Sequence, residues 1–225
     1  MNISDVRGQS WHTIACRYFE CDQCRLVDQD ATRIEIGTPC SRCGTPSTGG
    51  HMHFGLNVCH LVNSIQDLFF VSSADMTHSD EFGTREYKFD TDTRPIIAIL
   101  YCTIFDVCMT QLTKAIMRKR SLPPRIAERL LKDYRFSSEK RDQLYPVLIG
   151  EKFTESLAQI AAAGAVDFAP HFAFLKEIAE KRNSLIHQGN PWRFTKQELE
   201  KIPHELIPLF RAFVALHNHQ NEKQA

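Results

Sequence analysis

Two short stretches, Cys21-Asp-Gln-Cys24 and Cys40-Ser-Arg-Cys43-Gly44, constrain this chain more than anything else in its sequence. In each, a tight turn can point both thiols at one ion, and the fifteen residues between the pairs let the two turns face each other. Four thiolates at ~2.3 Å then complete a tetrahedron, the ligand set of a structural zinc ion, one per chain. All four positions are filled by protein, so no activated water fits. Gly44 supplies the backbone freedom the second turn needs. A module this small has little apolar core, so metal binding should provide much of its folding free energy.

The remaining cysteines read differently. Cys59, Cys102 and Cys108 sit in apolar contexts as inert buried thiols, and no disulfide framework is expected. Cys16 reads as a spectator, although it or His12 could replace a ligand. His51 and His53, in HMHF, read as linker residues beside four available cysteines, and His217 and His219, in LHNHQ, as exposed.

Residues 14 to 46 alternate short β-like runs (IACRYFE, TRIEI) with turn residues, and STGG at Ser47 to Gly50 reads as a hinge. This stretch resembles a zinc ribbon. Its Arg17, Arg25, Arg33 and Arg42 are matched by Glu20, Asp22, Asp28, Asp30 and Glu35, so it presents no basic patch and reads as a bracing or partner-binding module. The chain divides into a ribbon and hinge over 1–50, a connecting helix and polar loop over 51–94, and a helical domain over 95–225.

The apolar spacing of Leu56, Cys59, Val62, Ile65 and Phe69 predicts a helix from Phe54 to Phe70, and the acidic segment from Ser72 to Thr93 reads as a surface loop. Further helices are expected over Ile96 to Arg120, Arg125 to Tyr134 after Pro123-Pro124, Ser137 or Ser138 to Leu148, Phe153 to Ala163, and Asp167 to His187. Thr195 with Glu198 forms a capping box for a last helix to about His219. The fold class is mainly α, an antiparallel bundle preceded by a small β-rich module.

The helix ending in Arg182-Asn183-Ser184-Leu185-Ile186-His187 carries the second chemical signal. Arg182 follows Ile178 and Leu175 on the apolar side, where a guanidinium requires an acidic side chain or a phosphate. Asn183 and His187, four apart, share a face. Arg182 and His187, five apart, are offset by ~140° and ~7.5 Å on a regular helix, which a frayed helix end or a second copy of the chain would reconcile.

These residues resemble the R-x4-6-H motif of the HEPN superfamily, helical domains that include many metal-independent ribonucleases of toxin-antitoxin, CRISPR and antiviral systems. The resemblance covers Pro95 to the C-terminus. It implies a homodimer with one cleft at its interface, RNA as substrate, and an antitoxin or other regulatory protein as partner. His187 would handle protons as the ribose 2'-hydroxyl attacks the phosphodiester, Arg182 would bind the phosphate, Asn183 would orient either, and Asp106 would engage Arg182. The implied products are a 2',3'-cyclic phosphate and a 5'-hydroxyl. In relatives neutralised by AMP addition a Tyr stands two residues after the motif His; Gly189 stands there in this chain, which speaks against that regulation.

A second reading stays open, because some such domains are non-catalytic: a dimer that binds protein or nucleic acid through its ribbon and helices. Lys+Arg and Asp+Glu are both 27, so overall charge names no partner. Locally, basic residues outnumber acidic ones from Lys114 to Asp142, which suits either an RNA-tracking surface or solvated helix faces. No leader sequence is evident, and the apolar run from Pro95 to Phe105 stops at Asp106, short of the ~20 residues that span a bilayer. A cytoplasmic protein without membrane partners is expected. Phosphate-binding Gly loops, Ser nucleophile elbows and HExxH motifs are missing.

Overall fold

The computed structural model describes residues 15, 17–28, 35–49, 51–71, 76–80, 83–87, 94–164, 166–189 and 194–222. Within them the chain is mainly helical, with a small antiparallel sheet near the N-terminus. Three two-residue strands, β1 (Phe19–Glu20), β2 (Val27–Asp28) and β3 (His51–Met52), form that sheet in the order β2-β1-β3. The pairing corrects two sequence expectations. His51 and Met52 belong to the ribbon's sheet, opposite Glu20 and Phe19, although they follow the expected hinge. The described end of TRIEI, Glu35 and Ile36, lies in a turn.

Helix α1 (Leu56–Val71) follows. Where an unstructured loop was expected, β4 (Met76–Asp80) and β5 (Gly83–Tyr87) pair as a hairpin, with Met76 opposite Tyr87 and Asp80 opposite Gly83. Neither strand alternates apolar with polar residues, so the usual signal of a half-buried strand is missing from the sequence. Hairpins of this kind are held by cross-strand backbone pairing, which composition does not reveal.

Helix α2 (Arg94–Lys119) is the centre of the molecule and packs against α1 and both motif-bearing and C-terminal helices. Ile97, Tyr101, Ile104, Cys108, Met109 and Met117 are buried along it. Each such side chain contributes about 1.5–3 kcal/mol by leaving water. By length and composition the helix could cross a membrane, but over half of that apolar stretch is buried inside the fold. Core packing accounts for its apolar character. Burial also drives the Cys102 thiol up to about 11 and the Cys108 thiol above it, which keeps both protonated.

Next come α3 (Pro124–Asp133), a short α4 (Ser137–Glu139), a π-turn over Lys140–Leu144, and α5 (Tyr145–Ile149). The expected serine cap is replaced: Phe136 is the N-cap, and its amide donates to Glu139 Oε2 at 3.0 Å. The π-turn lies where Lys140, of the basic run, turns inward; it is buried and its Nζ donates to the Arg135 carbonyl at 2.7 Å. Most other basic residues of that run, including Arg118, Arg125, Arg129 and Lys132, are exposed.

Helix α6 (Phe153–Ala162) and helix α7 (Ala169–Gln188) lead to α8 (Lys196–Glu222). The expected capping box of α8 is formed: the Thr195 amide donates to Glu198 Oε2 at 2.9 Å, and the Glu198 amide to Thr195 Oγ1 at 3.2 Å.

The last turns of α8 hold the ribbon against the bundle. Asn218 acts as a side-chain strand: its Oδ1 accepts from the Val27 amide at 2.8 Å and its Nδ2 donates to the Val27 carbonyl at 2.9 Å. Asn221 donates to the Arg25 carbonyl at 3.0 Å. His217, expected at the surface, is buried beside His53 with ring centroids 4.8 Å apart. Burial, then the neighbouring His53, push its pKa down to about 4. Asn218→Ala should accelerate amide exchange at Val27 and lower global stability by about 1–3 kcal/mol, since two buried backbone groups lose their partner. Exchange measured by NMR with a urea titration checks both; unchanged exchange at Val27 would show that Asn218 is not the clasp.

Candidate functional site

The two cysteine turns are built alike. The Cys21 amide donates to the Leu26 carbonyl at 2.9 Å and the Arg25 amide to the Cys21 carbonyl at 3.0 Å; in the second turn, the Cys40 amide donates to Thr45 and the Gly44 amide to Cys40, both at 2.9 Å. The fifth residue of each turn has positive φ, 58° at Arg25 and 70° at Gly44. Glycine adopts this freely, whereas Arg25 does so at a cost of about 1–2 kcal/mol. Contacts to Arg25 offset that cost: its carbonyl accepts from Asn221 and faces His217, and its guanidinium reaches Glu20 at 3.3 Å.

Together the turns bring Cys21, Cys24, Cys40 and Cys43 into one cluster, with all four Sγ atoms within 4.8 Å of one another. Cys21 and Cys43 are 3.7 Å apart, as are Cys24 and Cys40. Ligands at ~2.3 Å from a tetrahedral centre are ~3.8 Å apart, so the cluster has the dimensions of a metal site. The Thr45 hydroxyl, 3.1 Å from Cys43 Sγ, and the Thr45 amide pull the Cys43 thiol down to about 6, whereas burial pushes the neighbouring Cys24 thiol up to about 12. Cys16 and His12, the alternative ligands, lie outside the described residues. Cys40→Ser should lower bound metal by about one equivalent per chain, because a three-thiolate remnant binds far more weakly. Metal analysis of the purified protein checks this, and undiminished content would remove the cluster as a ligand set.

The second candidate site lies on α7 and α2. Helix α7 stays regular to Gln188 and stops at Gly189, whose φ of 62° caps it and whose amide donates to the Leu185 carbonyl at 2.9 Å. Within its final turns, adjacent residues have separate tasks. Lys181 is engaged by Glu177 and Glu198 and ties α7 to α8. Arg182 faces α2, where its Nη2 lies 3.6 Å from Asp106 Oδ2, a loose ion pair. Its Nη1 donates to Asn183 Oδ1 at 3.1 Å. Its Nε is buried and makes no hydrogen bond.

Arg182, Asn183, His187 and Asp106 all line one cavity of about 460 Å³. Arg182 and His187 thus line the same cavity within one chain while α7 stays helical to Gln188. Arg141 and the exposed Phe136 line the same cavity and were not singled out in the sequence. Arg141 lies in the π-turn, whose irregular backbone hides its register from a helical pattern, and Phe136 is the extended N-cap residue ahead of α4. Of the described residues, the groups with metal-ligand spacing are the four cysteines and a Glu20, His53 and His217 trio, neither of which lies in this cavity.

Comparisons with protein-family models, curated proteins and solved structures yield no match.

Proposed function

We propose that the protein is a metal-independent endoribonuclease of the HEPN type, braced by a structural zinc ribbon. The observation that carries the reading is that the Arg182 guanidinium, held by Asp106 only loosely at 3.6 Å, lines one cavity with Asn183 and His187. A guanidinium carries five N–H donors in a planar fork, and one loose carboxylate leaves donors to meet the oxygens of a phosphodiester. Asp106 holds the guanidinium from one side without saturating it.

In this reading the RNA phosphate sits against Arg182. His187 takes the proton of the 2'-hydroxyl as that oxygen attacks phosphorus, Arg182 stabilises the charge that develops, and the bond from phosphorus to the 5'-oxygen breaks as that oxygen takes a proton from water. The cyclic phosphate remains on one fragment and the hydroxyl on the other. His187 is exposed at the cavity, and a positioned imidazole is the commonest general base. Zinc at the four cysteines keeps a structural role, its coordination closed by sulfur.

Arg182→Ala and His187→Ala should each slow cleavage of labelled RNA by about 10²- to 10⁴-fold without added divalent metal. Relief of toxicity on expression by His187→Ala would agree. Should wild type and both variants cleave equally, or none cleave any RNA offered, the non-catalytic binding reading replaces this one.

The family resemblance places such sites at a twofold interface, and Ile186, half exposed at the cavity, suits a covered position. Sedimentation should show a dimer at micromolar concentration. A monomer with full activity would confine the site to one chain.

A further inference from the structure

Away from the α7 cavity, another set of ligating side chains lies where the ribbon meets α8. Glu20 from β1, His53 just after β3 and His217 from α8 each offer one ligand atom, and the three atoms lie within 4.8 Å of one another. They are sheltered: the side chains of Glu20 and His53 are 18% and 10% exposed, and His217 is buried.

The His53–Glu20 distance is long for a charge-assisted hydrogen bond and suits two ligands of one ion. His53 Nδ1 stands 3.3 Å from Glu20 Oε2, whereas the other histidine–glutamate pair, His171 Nδ1 and Glu205 Oε2, closes to 2.6 Å. Charge-assisted hydrogen bonds settle at about 2.7–2.9 Å. Two N or O ligands of a tetrahedral ion at ~2.0–2.1 Å stand ~3.3–3.4 Å apart. The four cysteines show the same kind of agreement, at their own longer spacing.

The orientation of His217 points the same way. Its Nε2 donates to the Arg25 carbonyl at 3.0 Å, so in the neutral ring Nδ1 carries the lone pair. A histidine steered by a backbone carbonyl through one nitrogen, with the other left for an ion, is a common metal-ligand arrangement. Arg25 meets Glu20 through Oε1 at 3.3 Å, which leaves Oε2 on the side of His53.

We propose that Glu20, His53 and His217 form a second divalent-metal site, distinct from the four cysteines and bridging the ribbon to α8. Two imidazoles and a carboxylate suit zinc or cobalt. Glu20 and His217 also line a cavity of about 390 Å³ together with Gln23, Arg25, Arg118 and Lys119. The fourth position opens there, and the surrounding cations favour an anion or hydroxide in it. Unlike the cysteine site, this one is incomplete without an outside ligand. This inference does not depend on RNA cleavage.

Cobalt substitution of the full chain provides the test. Wild type should take up two Co²⁺ per chain, one giving thiolate-to-cobalt charge-transfer absorption and one giving only d–d bands. Glu20→Gln and His53→Gln should lose the second ion while the thiolate signature stays, which also reports an intact ribbon. Uptake of a single ion by wild type overturns the proposal, as does retention of both ions by the two variants. If a variant loses the thiolate signature through misfolding, the wild-type stoichiometry and its d–d bands decide.

Discussion

Helix α2 must be covered on nearly every side, and that requirement organises the molecule. Its buried residues face α1, α7 and α8 in turn, so no single partner helix can shield it. Asp106 is the polar interruption on this core element, and it sits at the rim where α2 meets α7. Its partner Arg182 is therefore positioned by core packing: moving α7 to saturate the guanidinium would uncover Tyr101 and Phe105, which pack against Phe174 and Phe172.

The ribbon depends on the bundle at a few points. It contributes Tyr18 and Val27 to the common core, with Tyr18 packed edge-on against Phe54. The last turns of α8 then satisfy backbone groups of Arg25 and Val27 that three two-residue strands leave over. Metal in the cysteine cluster would fix the turn that presents those groups. Ribbon and bundle are coupled through residues 25 to 27, between the first cysteine pair and β2.

The helices were legible because their apolar residues recur with helical period and their ends carry recognisable signals, as at Thr195 and Glu198. The cysteine cluster was legible from spacing alone. What escaped has a common cause: its stabilising contacts are distant in sequence or lack periodicity. Met52 and His51 pair with β1 across more than thirty residues. His217 looks like a polar residue near a chain end, yet ribbon backbone buries it. The π-turn displaces Arg141 from the position a regular helix would give it, and Phe136 stands in extended backbone before α4.

The geometry also alters what a second copy of the chain would have to do. From helical offset alone, Arg182 and His187 looked irreconcilable on one helix; in the folded chain both reach one cavity because the cavity wraps the end of α7, with α2 on one flank and the π-turn region on the other. In the proposed reading, a second copy of the chain would close the cavity and exclude water. Closure would strengthen any interaction between Arg182 and a phosphate, because a lower local dielectric raises the worth of each charge-assisted hydrogen bond. For an enzyme of the proposed kind, dimerisation would act on the strength of phosphate binding more than on which residues are present.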